Sequence, residues 1–399
     1  MTSKKKLAIL TLVFYNYGTR LQSYALCKII NRIFNDSISV VVLNTESPWG
    51  ITTNVFRFIV ASSVKNYRFG AIKHILEVYR YMRESHIIYT GKDHTSEIKE
   101  RKEAFGNIIS KIPYSSTYYS FDDIRKGRLP KFDAILVGSD QVWNGVKVGN
   151  QDIFMLDFLK GEKGLTYAAS FGMTRIPRSM KEDYIRLIQN FDSLLIREQE
   201  GVDLCRALGR DDAQLVLDPT LLLEGSEYDD LISDKPIIDG DFVLVYSLNY
   251  SYKIFDEAYC LSNRNNCKMV ILKRSFCPPD VTKYKEAIEL YAESPESFLW
   301  LIKNAKCIIT NSYHALLFSI NFNKSFYLYL DNADEENSRL LTIIDMIGLK
   351  TQVFWETGYL PKEIHEIDYT ETNRILLEER TKSIQLLQES ISKKLQLCD

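Results

Sequence analysis

The stretch CIITNSYHALLFSI, residues 307–320, sets a histidine between an apolar run of β-forming residues and an apolar run with helical character. The chain has only five histidines. At a turn from a parallel strand into a helix, His314 stands where α/β proteins gather their ligands. It is the side chain best suited to give or take a proton near neutral pH. A helix start disfavours imidazolium but favours a bound phosphate or carboxylate, which would restore the histidine's charge. Ser312 and Tyr313 share the turn. The plainer alternative is a polar turn residue that happens to be histidine.

Four other strand ends carry polar residues. After the apolar run LAILTLVF come Asn16, Tyr17, Gly18, Thr19 and Arg20, ahead of a helix. The free N–H groups of that helix start favour an anion and Gly18 permits close backbone approach, although a tight βα turn would look the same. The segment VGSDQVWN (137–144) sets Gly138, Ser139, Asp140, Gln141 and Asn144 around Trp143. That combination suits sugar hydroxyls and a stacking face, or else a capped turn with a core tryptophan. YAASFG (167–172) ends on Ser170 and Gly172, and LLIREQEG sets Arg197 directly after an apolar strand. A buried arginine there needs an anion, either a ligand or a carboxylate such as Glu198. No group of His, Asp and Glu has metal-ligand spacing, and no G-x-S-x-G elbow or P-loop occurs.

The elements that position these residues alternate. Apolar strands at 7–14, 39–44, 132–138, 165–170, 193–198 and 214–223 are interleaved with helical spacing, first at Leu21, Tyr24, Ala25, Ile29 and Ile33. This predicts a doubly wound parallel sheet. An acidic, aperiodic segment at 229–241 reads as a linker, after which FVLVYSL (242–248) opens a second α/β set. Ser294-Pro295 has the form of a helix cap followed by proline at the first helical position. A last helical pattern runs over 373–397. The expected domains are therefore 1–230, 240–350 and a helical tail at 351–399. Two α/β domains of similar size bind ligands in the cleft between them.

Composition agrees. The 399 residues exceed one comfortable core, and 45% hydrophobic with 26% charged residues is ordinary for a globular protein. A net charge of -2 argues against a general nucleic-acid binder. No apolar run is long enough to span a bilayer. MTSKKKLAILTLVFYNYG imitates a signal peptide but lacks a cleavage site and reads as a first strand. Seven scattered cysteines without C-x-x-C suit reduced thiols and a cytoplasmic location. The insertion near 50–130 includes an aromatic, basic helical stretch at 54–92, with lysines and arginines against only Glu77 and Glu84. It suits either a solvated amphipathic helix or peripheral contact with an anionic membrane.

Taken in order, NYGTRLQSYAL, FDAILVGSDQVWN, TYAASFG, LLIREQEGVDL, VLDPTLLL and SPESFLWLIKNAKCIITNSYHALLFSINFNKSF resemble the signatures of the polysaccharide pyruvyl transferase family over residues 7–350. Ala315 stands where the family has glycine after the histidine, a change that a helix start tolerates. The resemblance implies a glycosyltransferase-B-like fold, two Rossmann-like domains facing across a cleft. It implies transfer of a pyruvyl group from phosphoenolpyruvate onto two hydroxyls of a sugar, giving a cyclic ketal in surface polysaccharide biosynthesis, with no metal or other cofactor. His314 then fits the acid/base, Arg197 the anion clamp, and Ser312 with the backbone near Ala315 the phosphate. Ser170 joins the substrate-binding set. Asn16, Tyr17, Gly18, Arg20, Gln22, Ser139, Asp140 and Trp143 fall on the side of a saccharide acceptor, lipid- or nucleotide-linked, with acceptor specificity expected in the insertion. A lipid-linked acceptor would place the protein at the inner face of the membrane. Two rivals share the architecture: a nucleotide-sugar-dependent glycosyltransferase and a non-catalytic polysaccharide-assembly protein.

Overall fold

The computed structural model describes residues 4–35, 37–45, 95–146, 148–232, 235–248, 252–273, 282–291, 293–330, 337–355 and 357–397. The basic stretch at 54–92 lies outside the described residues.

Strands β1 (Lys5–Leu10), β2 (Ile38–Thr45), β3 (Tyr114–Tyr119), β4 (Ala134–Val137), β5 (Gly164–Thr166) and β6 (Phe191–Ser193) form a parallel sheet in the order β3-β2-β1-β4-β5-β6. A small parallel pair, β7 (Leu195–Ile196) and β8 (Gln214–Leu215), follows it. Strands β9 (Phe242–Tyr246), β10 (Lys268–Leu272), β11 (Ile288–Leu290), β12 (Cys307–Thr310), β13 (Phe326–Leu330) and β14 (Val353–Trp355) repeat the pattern as β11-β10-β9-β12-β13-β14. Each sheet is doubly wound from its first strand outward, so each has a topological switch point, at β1/β4 and at β9/β12. The two-domain, parallel-sheet expectation holds, and the arrangement is glycosyltransferase-B-like. Central strands such as AILV in β4 and CIIT in β12 are buried along their whole length, which is why they read as unbroken apolar runs.

Among the described residues, the helices of nine residues or more are α1 (Tyr17–Phe34), α2 (Thr95–Ala104), α3 (Gln199–Ala207), α4 (Tyr252–Arg264), α5 (Pro295–Asn304), α6 (Tyr313–Asn321), α7 (Asn337–Ile347) and α8 (Thr370–Leu395). Asn16 caps α1, accepting a hydrogen bond from the Thr19 amide at 3.3 Å, and Asn35 ends it in the left-handed conformation. Ser294 caps α5 with Pro295 at its first position, as the sequence predicts.

Two features depart from the sequence-based layout. Edge strand β3, YSSTYY, sits inside the interruption, where its partly exposed polar faces give no apolar run. Strand β14 extends the second sheet past residue 350, and α8 leaves the second domain to pack on the first. The α8 start is held by Thr372, whose hydroxyl donates to the Ile347 carbonyl at 3.3 Å. Farther along, the Leu217 amide donates to Ser383 Oγ at 3.0 Å and Arg380 Nε donates to the Leu221 carbonyl at 2.8 Å. Lys394 pairs with Asp192 at 2.7 Å. One apolar cluster runs through both domains, from Leu21 and Ile29 through Leu221 and Tyr228 to Leu316, Phe318 and Leu387.

Candidate functional site

The carboxyl ends of the two sheets meet. Three chain segments from the first domain and two from the second deliver charged side chains to one buried cluster.

Strand β4 ends into Gly138-Ser139-Asp140. Gly138 has φ +121°, and a Cβ there would stand 2.2 Å from the Tyr167 carbonyl oxygen, so only glycine fits. Asp140 itself has φ 77°, a left-handed backbone that costs a non-glycine residue of order 1–3 kcal/mol. That backbone aims its carboxylate at the cluster, where Oδ2 accepts from Thr19 Oγ1 at 2.9 Å and Oδ1 from the Gln141 amide at 2.9 Å.

Strand β7 ends into Arg197-Glu198. Arg197 is fully enclosed; Nη1 donates to Asp218 Oδ2 at 3.0 Å, Asp140 lies 3.7 Å away and Glu198 3.9 Å. Its guanidinium also lies 4.4 Å from the centre of the Tyr313 ring. Burial opposes its charge, but Tyr313 and these carboxylates outweigh burial and keep it protonated. Glu198 Oε1 accepts from Ser170 Oγ at 2.9 Å and from the Phe171 amide at 2.8 Å. Burial raises the Glu198 pKa.

Asp218 caps the short helix Pro219–Leu222, Oδ1 accepting from the Thr220 amide at 3.0 Å while Oδ2 takes Ser139 Oγ at 3.0 Å. Burial works against its carboxylate, but His314 and Arg197 prevail and hold its pKa below the ordinary value.

Strand β12 ends into Asn311-Ser312, and α6 begins at Tyr313. Ser312 is the N-cap residue yet gives no side-chain capping bond, so the first amides of α6 have no side-chain acceptor. His314 Nε2 lies 3.8 Å from Asp218 Oδ2, beyond hydrogen-bond length, and is buried with no hydrogen bond. Burial is the largest influence on it and lowers its pKa below 6.5, against the pull of Asp218 and Asp140. The imidazole is therefore held neutral at pH 7. Its other face meets α1: a Cβ on Gly18 would stand 1.9 Å from His314 Nδ1. Gly18 is the recess into which the histidine of the other domain fits.

The structure brings Gly18, Asp140, Arg197, Ser312 and His314 together. Gln22, Ser139 and Ser170 lie beneath them as scaffolding: Gln22 Oε1 accepts from the Ser139 amide at 3.3 Å. Asn16 is spent on capping α1. Tyr17 is part of the packing between domains, stacked 4.6 Å from Phe298 and 5.5 Å from Phe105. Arg20 hydrogen-bonds Tyr114 on β3 and lies over the Tyr15 and Tyr114 rings. Trp143 corrects the expectation of a stacking face. It is fully buried against Phe171 and Phe191, and its indole N–H donates to the Phe154 carbonyl at 3.0 Å.

Three members of the cluster escaped sequence reasoning. Asp218 is in the quoted VLDPTLLL, but Asp before Pro signals a cap and nothing more. Tyr313 was a neighbour of the histidine without a role. Arg339 is the third, a buried guanidinium at the start of α7 that lies 5.6 Å from the Tyr313 ring. Its one sequence signal is position, because a helix dipole disfavours a cation in the first turn. Among the described residues no three His, Cys, Asp or Glu side chains are arranged to hold a metal ion, and no helix is long and apolar enough to cross a membrane.

A family model described as polysaccharide pyruvyl transferase matches residues 16–334. Comparison with curated proteins finds no match. Among solved structures the chain is similar to UDP-N-acetylglucosamine 2-epimerase from Rickettsia bellii, at 11% identity and TM-score 0.49, covering 98% of this chain and 99% of that one. It is also similar to UDP-GlcNAc 2-epimerase from Neisseria meningitidis bound to UDP-GlcNAc, at 11% identity and TM-score 0.45, covering 98% and 94%. A third is E. coli ADP-heptose LPS heptosyltransferase II, at 10% identity and TM-score 0.37, covering 96% and 99%.

Proposed function

The chain belongs to the polysaccharide pyruvyl transferase family, and from that premise we propose that it carries the pyruvyl group of phosphoenolpyruvate onto two hydroxyls of a saccharide, forming a cyclic ketal in surface polysaccharide biosynthesis. The observation that carries the reading is His314 Nε2: a buried imidazole nitrogen without a hydrogen bond, beside two arginines and an uncapped helix start.

The reaction needs a proton on the methylene carbon of the enol and cations for a phosphate and a carboxylate. Protonation converts the methylene to a methyl group and leaves an oxocarbenium-like carbon. One hydroxyl adds to it, the second displaces phosphate, and each new C–O bond releases a hydroxyl proton. Two C–O bonds form and the C–O bond to phosphate breaks. One hydroxyl proton replaces the one given to the methyl group, and the other departs with phosphate or solvent. His314 is the proton carrier in this scheme, neutral before the donor binds and charged once the donor's anionic groups lie against it. Arg197, held rigid by Asp218, faces the donor's charge, and the amides of α6 behind Ser312 suit the phosphate. Asp140, near the Gly18 recess, is placed to receive an acceptor hydroxyl. No metal or redox cofactor enters these steps.

The acceptor in this reading is a lipid- or nucleotide-linked saccharide, and a lipid-linked one would be met at the inner membrane face. The test is incubation with phosphoenolpyruvate and such saccharides, following phosphate release and the ketal methyl group by NMR. Acceptor-dependent phosphate release is expected, reduced about 10²–10⁴-fold in His314→Ala. Absence of phosphoenolpyruvate binding, with binding of a nucleoside diphosphate in its place, would overturn the reading in favour of a glycosyltransferase.

A further inference from the structure

Asp140 and His314 come from different domains, and both are partly open to solvent where their neighbours are not. The Asp140 side chain is 13% exposed and that of His314 11%, whereas Arg197, Glu198 and Asp218 have no exposed side-chain surface. A saccharide hydroxyl arriving from solvent therefore meets a carboxylate and an imidazole before it can touch those three. Glu198 and Asp218 are also spent on structure. Glu198 holds Ser170 and two backbone amides, and Asp218 holds Ser139, Thr220 and Arg197.

The first turn of α1 sets the position of both open groups. Gly18 leaves the recess against which His314 Nδ1 lies, and the next residue, Thr19, donates from Oγ1 to Asp140 Oδ2 at 2.9 Å. Thr19 is buried, and its amide donates to the Asn16 cap at 3.3 Å, so its hydroxyl is fixed to the helix start. Asp140 Oδ1 accepts from the Gln141 amide at 2.9 Å. The left-handed φ of 77° at Asp140 is a strained backbone of the kind that gathers at functional sites. Asp140 is also held as a carboxylate. Burial works against its charge, but Arg197, with Nη2 3.7 Å away, and His314 outweigh burial and keep its pKa below the ordinary value. Such a base is weak, and the reaction asks for no stronger one. A hydroxyl that has added to an oxocarbenium-like carbon is a strong acid.

We propose that Asp140 is the general base for the acceptor and that Thr19 is the positioning residue that aims it. The inference rests on the pyruvyl transfer proposed above and assigns each of its two hydroxyl protons. A lone pair of the first hydroxyl forms the bond to carbon, its O–H bond breaks, and the proton passes to Asp140. As the second hydroxyl adds, phosphate departs with the electrons of its C–O bond and takes that proton. The second hydroxyl's proton restores His314, and Asp140 is again a carboxylate. Two consecutive residues of α1 thus space an acid from one domain and a base from the other.

The experiment compares full-length wild type with Asp140→Asn, Thr19→Val and Thr19→Ser in donor binding, turnover and thermal melting. Asparagine tolerates a left-handed backbone, so Asp140→Asn removes the charge and keeps the turn. Phosphoenolpyruvate, titrated by calorimetry, should bind Asp140→Asn at least as tightly as wild type, because a carboxylate beside an anion is gone. Its kcat for ketal formation should nevertheless fall about 10²–10⁴-fold. Thr19→Val keeps the shape and loses the hydrogen bond. Its kcat should fall roughly 10-fold with KM for the donor unchanged, and Thr19→Ser should recover most of that loss. Ketal formation by Asp140→Asn within a few-fold of wild type would overturn the inference. So would a matched loss of donor binding and turnover at a lowered melting point, the behaviour of a residue that only holds the turn. Thr19→Val turning over like wild type would remove Thr19 from the assignment. Wild type that neither binds phosphoenolpyruvate nor releases phosphate would bring down the reaction and its base together, a result distinct from an active wild type matched by Asp140→Asn.

Discussion

His314 is under two opposed influences, burial lowering its pKa and the carboxylates of Asp218 and Asp140 raising it, with burial ahead. If it must carry the proton that it gives to the donor methylene, kcat/KM falls as pH rises through a pKa below 6.5. The bound donor's negative charge should raise that pKa, so the corresponding limb of kcat should lie at higher pH. pH profiles corrected for the donor's own phosphate ionisation check this; a limb that persists in His314→Ala would refute it. At Asp218, substitution by Asn leaves Arg197 buried without its closest anion, at a cost of about 3–5 kcal/mol measured by denaturant unfolding. The sign of the pH effect follows. Because its folded pKa lies below the ordinary 3.8, the Asp218 carboxylate contributes stability above that pH and loses it as pH falls through the folded value. Asp218→Asn should therefore flatten the acid side of the stability curve.

Helix α1 meets α6 through Gly18 and His314. In Gly18→Ala, a methyl group would overlap the imidazole, with contacts of 1.9, 2.2 and 2.5 Å to Nδ1, Cγ and Cε1. Alanine gains at most about 1 kcal/mol of helix propensity, and overpacking costs about 1–3 kcal/mol. The clash wins. The variant should fold with a melting temperature lowered by a few degrees and lose activity as severely as His314→Ala, because the ring must leave its recess. Ala315 does not share that constraint: it is a buried residue inside the first turn of α6, with no positive φ for glycine to serve. At this scale the central elements were legible because buried strands make unbroken apolar runs and capped helices announce their starts. Strand β3 was not, since an edge strand of Tyr, Ser and Thr has no such run. Trp143 misled for a related reason: a tryptophan among polar turn residues looks like a sugar platform until the fold buries it.

The site itself was only half legible at the scale of the whole molecule. Its strand-end residues could be read from the sequence, since polar residues interrupt apolar runs there. The pairing of Gly18 with His314 depends on how two domains face each other, and that of Arg197 with Asp218 on how β7 and β8 lie side by side, neither of which a local pattern encodes. The helix that joins them, α8, gives a test. Ser383→Ala would leave the buried Leu217 amide without its acceptor, costing about 1–3 kcal/mol in a single cooperative denaturant transition. Two separated transitions would show that α8 does not couple the domains. The same helix sets an order of events on the ribosome. Domains generally fold from the N-terminus as they emerge, but the Leu217 amide meets Ser383 only after 166 further residues have been made. The first domain is thus synthesised long before its own floor, and a nascent chain arrested ahead of α8 would expose the Leu221 carbonyl and the apolar surface that Leu387 later covers. Chaperones recognising such surface would be expected to hold the chain until α8 is released.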